Sequence, residues 1–192
     1  ETRMGYPSPT AEVMAFYAER YRGDPVPVRS LRKAKAGLTT LILFDPAIDA
    51  TGRLMGTPNP EVLKEARARG LKILAAVHNA GKGGFDGTTA HALLGNPSAR
   101  NRAVEEIHAF LVRYGLDGVA LDLENVPPGD REALTGFVRD LSARLRAHYF
   151  LVYACLPAKT EDDATSAWGG AYDFTALAPH LDGAVVMAYD EH

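Results

Sequence analysis

The chain predicts a parallel α/β fold, on three observations: short β-rich runs recur along it, helical periodicity fills the gaps, and the long polar loops follow the runs rather than the helices. The runs lie at 13–19 (VMAFYAE), 38–44 (LTTLILF), 71–79 (LKILAAVHN), 116–124 (LDGVALDLE), 150–158 (FLVYACLPA) and 181–190 (LDGAVVMAYD). Loops such as NAGKGGFDGTT, NVPPGD and AKTEDDATSAWGGAYD therefore gather at the carboxyl ends of the strands, where open α/β sheets and barrels alike bind ligands.

Between the second and third runs, Asn59 and Pro60 read as a cap and first-turn proline ahead of EVLKEARAR, with Gly70 as the stop. From Ser98 to Tyr114, the residues Ala103, Ile107, Phe110, Leu111 and Tyr114 recur at helical spacing, and Gly115 ends the segment. After Asp130, the stripe Leu134, Phe137, Val138, Leu141 and Leu145 predicts a helix with one oily side to lay on the sheet. Asp173, ahead of FTAL, reads as a further helix cap.

With 192 residues, 46% of them hydrophobic, one compact domain over 1–192 is expected. The net charge is only -3 and the basic residues are scattered, so no footprint for nucleic acid or an anionic membrane surface is present. No apolar run has the length of a membrane span, and ETRMGYPSPT lacks the pattern of a signal peptide. Glu1 in place of an initiator methionine fits a chain processed or excised from something longer, and it is compatible with prior removal of a signal peptide. The single cysteine, Cys155, can form no internal disulfide and reads as a small buried hydrophobe.

The fourth run carries the candidate chemistry. Side chains alternate along a strand, so Val119, Leu121 and Leu123 point one way while Gly118, Ala120, Asp122 and Glu124 point the other. The apolar set suits a helix layer, and the small and acidic set then faces inward beside the long loops. Two acids roughly 6 to 7 Å apart on one strand face are costly to ionise together, so one tends to hold its proton near neutrality. A general acid is made in this way. A solvated Glu124 with Asp122 capping a neighbouring backbone explains one acid at a strand end, but not a second acid deeper on the same face.

Asp117, Gly118, Asp122 and Glu124 form a DGxxxDxE pattern that resembles the fourth-strand signature of glycoside hydrolase family 18, the chitinase-like (β/α)8 barrels. Met187, Ala188, Tyr189 and Asp190 resemble the MxYD of that family's sixth strand, and here too they fall on the sixth run. FYAE, AAVHN, DLENV, LPAKT and MAYDEH are most similar to the bacterial branch of spore cortex and peptidoglycan N-acetylglucosaminidases, from about Val13 onward. The resemblance implies a TIM (β/α)8-type barrel with six βα units present, so 1–192 is expected to be a catalytic domain lacking the C-terminal strands. Either it is part of a longer enzyme, or another subunit covers its open edge. Ala120 stands where family members commonly carry Asp or Asn, which removes an inner hydrogen-bond partner from Asp122.

What the resemblance implies chemically is a retaining, substrate-assisted glycosidase acting on β-linked N-acetylglucosamine, in peptidoglycan rather than chitin, with no cofactor or metal. Glu124 would protonate the glycosidic oxygen, Asp122 would hold the acetamido N–H, and Tyr189 would donate to the acetamido carbonyl; Asp190 would shape the site. Asn79 is a candidate for touching sugar hydroxyls, Tyr17 for lining the pocket, and Trp168 for stacking on a sugar ring or anchoring its loop. His78 reads as structural, Met187 as core filler and Glu19 as salt-bridged or solvated. In HNAGKGG, Lys82 is followed by Gly83 rather than Ser or Thr, so the segment is a flexible loop and no phosphate cradle. The expected place of action is extracytoplasmic, at the cell envelope or spore cortex. Two other readings compete: a noncatalytic, lectin-like relative, which would be expected to lack the acid that Glu124 supplies, and a metal-dependent hydrolase using Asp122, Glu124 and His78 as ligands.

Overall fold

The computed structural model describes residues 12–34 and 37–189. All six runs are strands: β1 (Met14–Tyr17), β2 (Thr40–Leu43), β3 (Lys72–His78), β4 (Gly118–Asp122), β5 (Leu151–Pro157) and β6 (Gly183–Met187). They pair in parallel in sequence order and curl into a half-barrel with β1 and β6 at its edges. The incomplete TIM-type barrel expected from the resemblance is therefore the fold, present as a half-barrel of six strands.

The helices are α1 (Pro25–Lys33), α2 (Pro60–Ala68), α3 (Gly87–Gly95), α4 (Pro97–Tyr114), α5 (Arg131–Arg146) and the single turn α6 (Phe174–Leu177). Asn59 caps α2 by accepting from the Glu61 N–H at 2.9 Å, and Asp173 caps α6 through the Ala176 N–H at 2.9 Å. Gly115 ends α4 in the left-handed conformation, at φ 58°. The periodic residues predicted for α5 are all buried, as are those of α4 apart from half-buried Tyr114. The segment after β3 departs from the expected flexible loop. Ala80–Gly81 pairs antiparallel with Gly84–Phe85, and α3 begins at once. Its run GTTAHALLG is poor in helix formers at its start, but Asp86 binds the Thr88 N–H and the Thr89 hydroxyl, while Ala90, Leu93 and Leu94 are buried.

Two apolar clusters sit on opposite faces of the sheet. Val119, Leu121 and Leu123 join the large one, with Ile107, Phe137 and Leu141 of the helices. Ile42, Leu74, Ala76, Ala120, Tyr153, Cys155 and Met187 form a smaller one inside the half-barrel. The alternation read along β4 is thus the alternation that separates helix layer from barrel interior.

Leu-Asp-Gly opens both β4 and β6, and the structure gives it a splicing role. Asp117 donates its N–H to the Ile73 carbonyl, accepts the Leu151 N–H on its own carbonyl, and accepts the Ile73 N–H through its side chain at 2.7 Å. Asp182 likewise donates its N–H to the Val152 carbonyl and accepts the Val152 N–H through its side chain at 2.8 Å. The glycine that follows permits close approach: a Cβ on Gly118 would lie 2.2 Å from the carbonyl oxygen of Leu151. Because that obstacle is backbone of a neighbouring strand, Gly118→Ala is expected to lower the unfolding free energy by about 1–3 kcal/mol in urea titration. Gly129→Ala, with nothing within 4 Å of the new methyl, serves as the neutral control.

Candidate active site

Asp122 is the last residue of β4, and Glu124 follows two positions later, past the strand end. Across the sheet, Asp122 is paired with His78 of β3, and the register between β4 and β5 brings Cys155 alongside it. At this level the half-barrel holds a hollow of about 140 Å³ that contains Asp122, Glu124 and Tyr189 together. Phe16, Phe44 and Phe85 wall one part of it; Cys155, Val185 and Met187 line another.

Asp122 is 4% exposed, and its Oδ1 has no hydrogen-bond partner among the described residues. Burial is the leading cause that pushes its carboxyl up to about 6, and the neighbouring Cys155 thiol pulls the other way. Desolvation, rather than the charge of the second acid nearby, is what raises the carboxyl. Ala120 lies on the same face one step deeper, where its methyl offers no donor to the unpaired oxygen. His78 is also buried, which lowers its imidazole to about 4 and leaves it neutral at pH 7. Its ring stacks on Phe44 with centroids 4.0 Å apart, and its Nδ1 accepts the Ala80 N–H at 3.2 Å, consistent with the proton on Nε2.

Glu124 is set by its main chain. The Asn79 side-chain amide accepts the Glu124 N–H at 2.9 Å and donates to the Glu124 carbonyl at 2.9 Å, with a second donation to the Asp86 carbonyl at 2.9 Å. The hydroxyl of buried Tyr172 donates to the Leu123 carbonyl at 2.6 Å. Asn125, at φ 55°, donates through its side chain to the Phe85 carbonyl and so ties the hairpin to the end of β4. The strand end that presents Glu124 is therefore held by β3, by the hairpin and by the loop after β5.

Several candidates lie elsewhere. Asn79 is 3% exposed and its amide is engaged with backbone, so it is not presented to sugar hydroxyls as expected. Tyr17 faces the helix layer, donates its hydroxyl to Glu19 at 2.7 Å, and lines a different cavity of about 270 Å³ with Asp45 and Asn59. The alternation that turns Tyr17 outward turns Phe16 into the hollow. Glu19 is hydrogen-bonded by Tyr17, Asn59 and the Gly23 N–H rather than by a cation. Trp168 is half exposed in a surface recess away from the acids; its loop is anchored by Arg131, which reaches Asp162, Asp173 and the Gly170 carbonyl. Asp190 lies outside the described residues.

Phe16, Phe44, Phe85, Cys155 and Tyr172 escaped the sequence reading. Strand parity carries a signal for Phe16 and Cys155, whereas Phe85 sits in the short hairpin and Tyr172 in a loop, whose paths only the folded chain defines. Among the described residues, no three His, Cys, Asp or Glu side chains cluster so as to hold a metal ion, and no helix is long and apolar enough to cross a membrane.

Two outcomes follow from these environments. Asn79→Ala strands one N–H and two carbonyls, so it is expected to cost at least about 2 kcal/mol in urea unfolding. Asp122 should make the fold less stable as pH rises, because its folded carboxyl titrates at about 6 against an ordinary 3.8, so the native state holds the proton that the unfolded chain has lost. Asp122→Asn removes this term. Its stability relative to wild type should rise between pH 4 and 7 by on the order of 3 kcal/mol, read from paired unfolding curves. His78 titrates in the opposite sense over part of this range, which is why the difference between proteins is the quantity to measure.

Compared with known proteins, residues 15–192 match the family described as Glycosyl hydrolases family 18. A Bacillus subtilis protein named uncharacterized glycosylase YvbX is 27% identical over 172 residues, 88% of this chain and 50% of that protein. A cortical fragment-lytic enzyme of Bacillus anthracis is 26% identical over 164 residues, 85% of this chain and 38% of its own length. Among solved structures, a chitinase from Chromobacterium violaceum superposes with a TM-score of 0.84 at 26% identity, over 95% of this chain and 57% of that one. The chain thus spans half the length or less of these curated relatives. With the match running through all six strands of the half-barrel and through both acids, the chain belongs to glycosyl hydrolases family 18.

Proposed function

We propose that this chain carries the catalytic centre of a retaining glycosidase that cleaves β-linked N-acetylglucosamine in peptidoglycan, with the substrate's acetamido group as nucleophile. The observation that supports it most is the joint presence of Asp122, Glu124 and Tyr189 on one hollow at the carboxyl ends of the strands. Family membership supports glycoside hydrolysis, and relatives named for cortical fragment lysis favour peptidoglycan and an extracytoplasmic site of action.

In this reading the sugar sits against the aromatic wall, its acetamido N–H donating to Asp122, whose Oδ1 is an acceptor in need of a donor. Tyr189 donates to the acetamido carbonyl oxygen and sets its line of attack on the anomeric carbon. As that C–O bond forms, the glycosidic bond breaks, and Glu124 gives its proton to the departing oxygen. The cyclic oxazolinium ion that results is opened by water, whose proton returns to Glu124, and two inversions leave the original anomeric configuration. Asp122 acts here as a carboxylate, and Glu124 enters the cycle protonated.

The test uses the full-length protein with an aryl N-acetyl-β-glucosaminide and with purified spore cortex peptidoglycan, chitin oligomers serving for comparison. Glu124→Gln should lose about 100-fold or more in turnover of the natural polymer, and Tyr189→Phe about 10-fold or more. A thiazoline mimic of the cyclised intermediate should inhibit competitively. Sugar binding without turnover by the unmodified protein would replace this reading with the lectin-like one. Turnover abolished by a chelator and restored by metal would replace it with the metal-dependent one.

A further inference from the structure

We propose that Cys155 is a positioning residue for Asp122: its thiol, presented from the neighbouring strand, donates a hydrogen bond to the Asp122 carboxylate and holds it as an acceptor where β4 itself offers only the methyl of Ala120. The kinetic half of this inference rests on the glycosidase reading above; the interaction itself does not.

The strand register makes the pair. Ala120 is opposite Tyr153 and Leu121 opposite Ala154, so the next step along β4 and β5 sets Asp122 beside Cys155. Both side chains face the interior, both are almost wholly buried, and both line the same hollow. The other polar groups around Asp122 are differently occupied. On β3, His78 is neutral, stacked on Phe44 and bonded through Nδ1 to the Ala80 N–H. On β5, Tyr153 directs its hydroxyl to Glu12 at 3.0 Å, and Tyr172 from the following loop gives its own to Leu123. Glu124 follows on β4's own chain, and Tyr189 of the β6 end stands across the hollow. Among the described residues lining the hollow, β1, the end of β2 and the hairpin supply the rings of Phe16, Phe44 and Phe85, and β6 supplies Val185 and Met187.

The thiol is suited to donate rather than react. Burial first, and then the charge and hydrogen bond of Asp122, push its ionisation far above neutrality, so it keeps its proton. A neutral S–H donor stabilises the ionised form of its partner and opposes the desolvation that favours the acid form. Removing the donor must therefore move the Asp122 titration upward. In a mechanism that needs a carboxylate at position 122, the low-pH limb of kcat/KM moves with it.

The experiment compares wild type, Cys155→Ala and Cys155→Ser in the full-length protein by two readouts. One is the carboxyl ¹³C titration of Asp122, assigned by its loss in Asp122→Asn; the other is the pH profile of kcat/KM, with Glu124→Gln as the inactive control. In Cys155→Ala both midpoints should rise by about half to one pH unit. In Cys155→Ser, where a stronger hydroxyl donor replaces the thiol, they should return to the wild-type value or fall below it. A purely packing role would lower activity at every pH and leave the midpoints in place. Equal titrations in wild type and Cys155→Ala, or a serine variant that follows alanine, overturn the inference. If wild type turns over no substrate, the carboxyl titration alone decides it, and the glycosidase reading is what fails.

Discussion

The two-sided burial of β4 is the constraint on which the site depends. Val119, Leu121 and Leu123 lie in the helix-facing cluster, and burying each contributes roughly 1.5–3 kcal/mol. That side fixes the parity of the strand, because a slip of one residue would carry Asp122 in among Leu134, Phe137 and Leu141. The inward side has to be small where neighbours crowd it, and Gly118 and Ala120 satisfy that beside Leu151 and Tyr153. Only at the strand end does the interior open enough for a carboxylate. The acids are thus held inward by the oily residues between them.

Asp122 and Glu124 are controlled by different means. For Asp122 the controls act on the side chain: desolvation favours its acid form, the thiol of Cys155 opposes it, and Ala120 contributes no donor. For Glu124 the observed controls act on the main chain, through the Asn79 amide and, one residue earlier, the Tyr172 hydroxyl. Buried Asn79 pairs with the Glu124 peptide much as another strand would. This lets β3 brace a residue that has already left β4, while its carboxyl remains on the hollow.

The aromatic wall is assembled from three separate elements. Phe16 comes from β1, Phe44 from the end of β2 and Phe85 from the hairpin, with His78 sandwiched against Phe44 and edge-on to Phe85. A neutral histidine suits this place, since a charged ring would meet the same desolvation that raises Asp122. Apolar rings around a buried carboxylate keep water from screening it, which makes each remaining polar contact to Asp122 count for more.

The amino-acid sequence by itself determined the six parallel strands, the oily stripes of α4 and α5, and the inward direction of both acids, because period-two and period-3.6 burial are local and repeat over many residues. The resemblance carried by DGxxxDxE and MxYD implied one site for Asp122, Glu124 and Tyr189, because the two strand ends that bear them open on the same end of a barrel. Tertiary structure decided the rest. Asn79 spends its amide on Glu124 and Asn59 gives its own to Glu19, while Cys155 stands beside Asp122. These are contacts between residues far apart in the chain, fixed by register and curvature, and no local pattern encodes which partner a buried polar group will find.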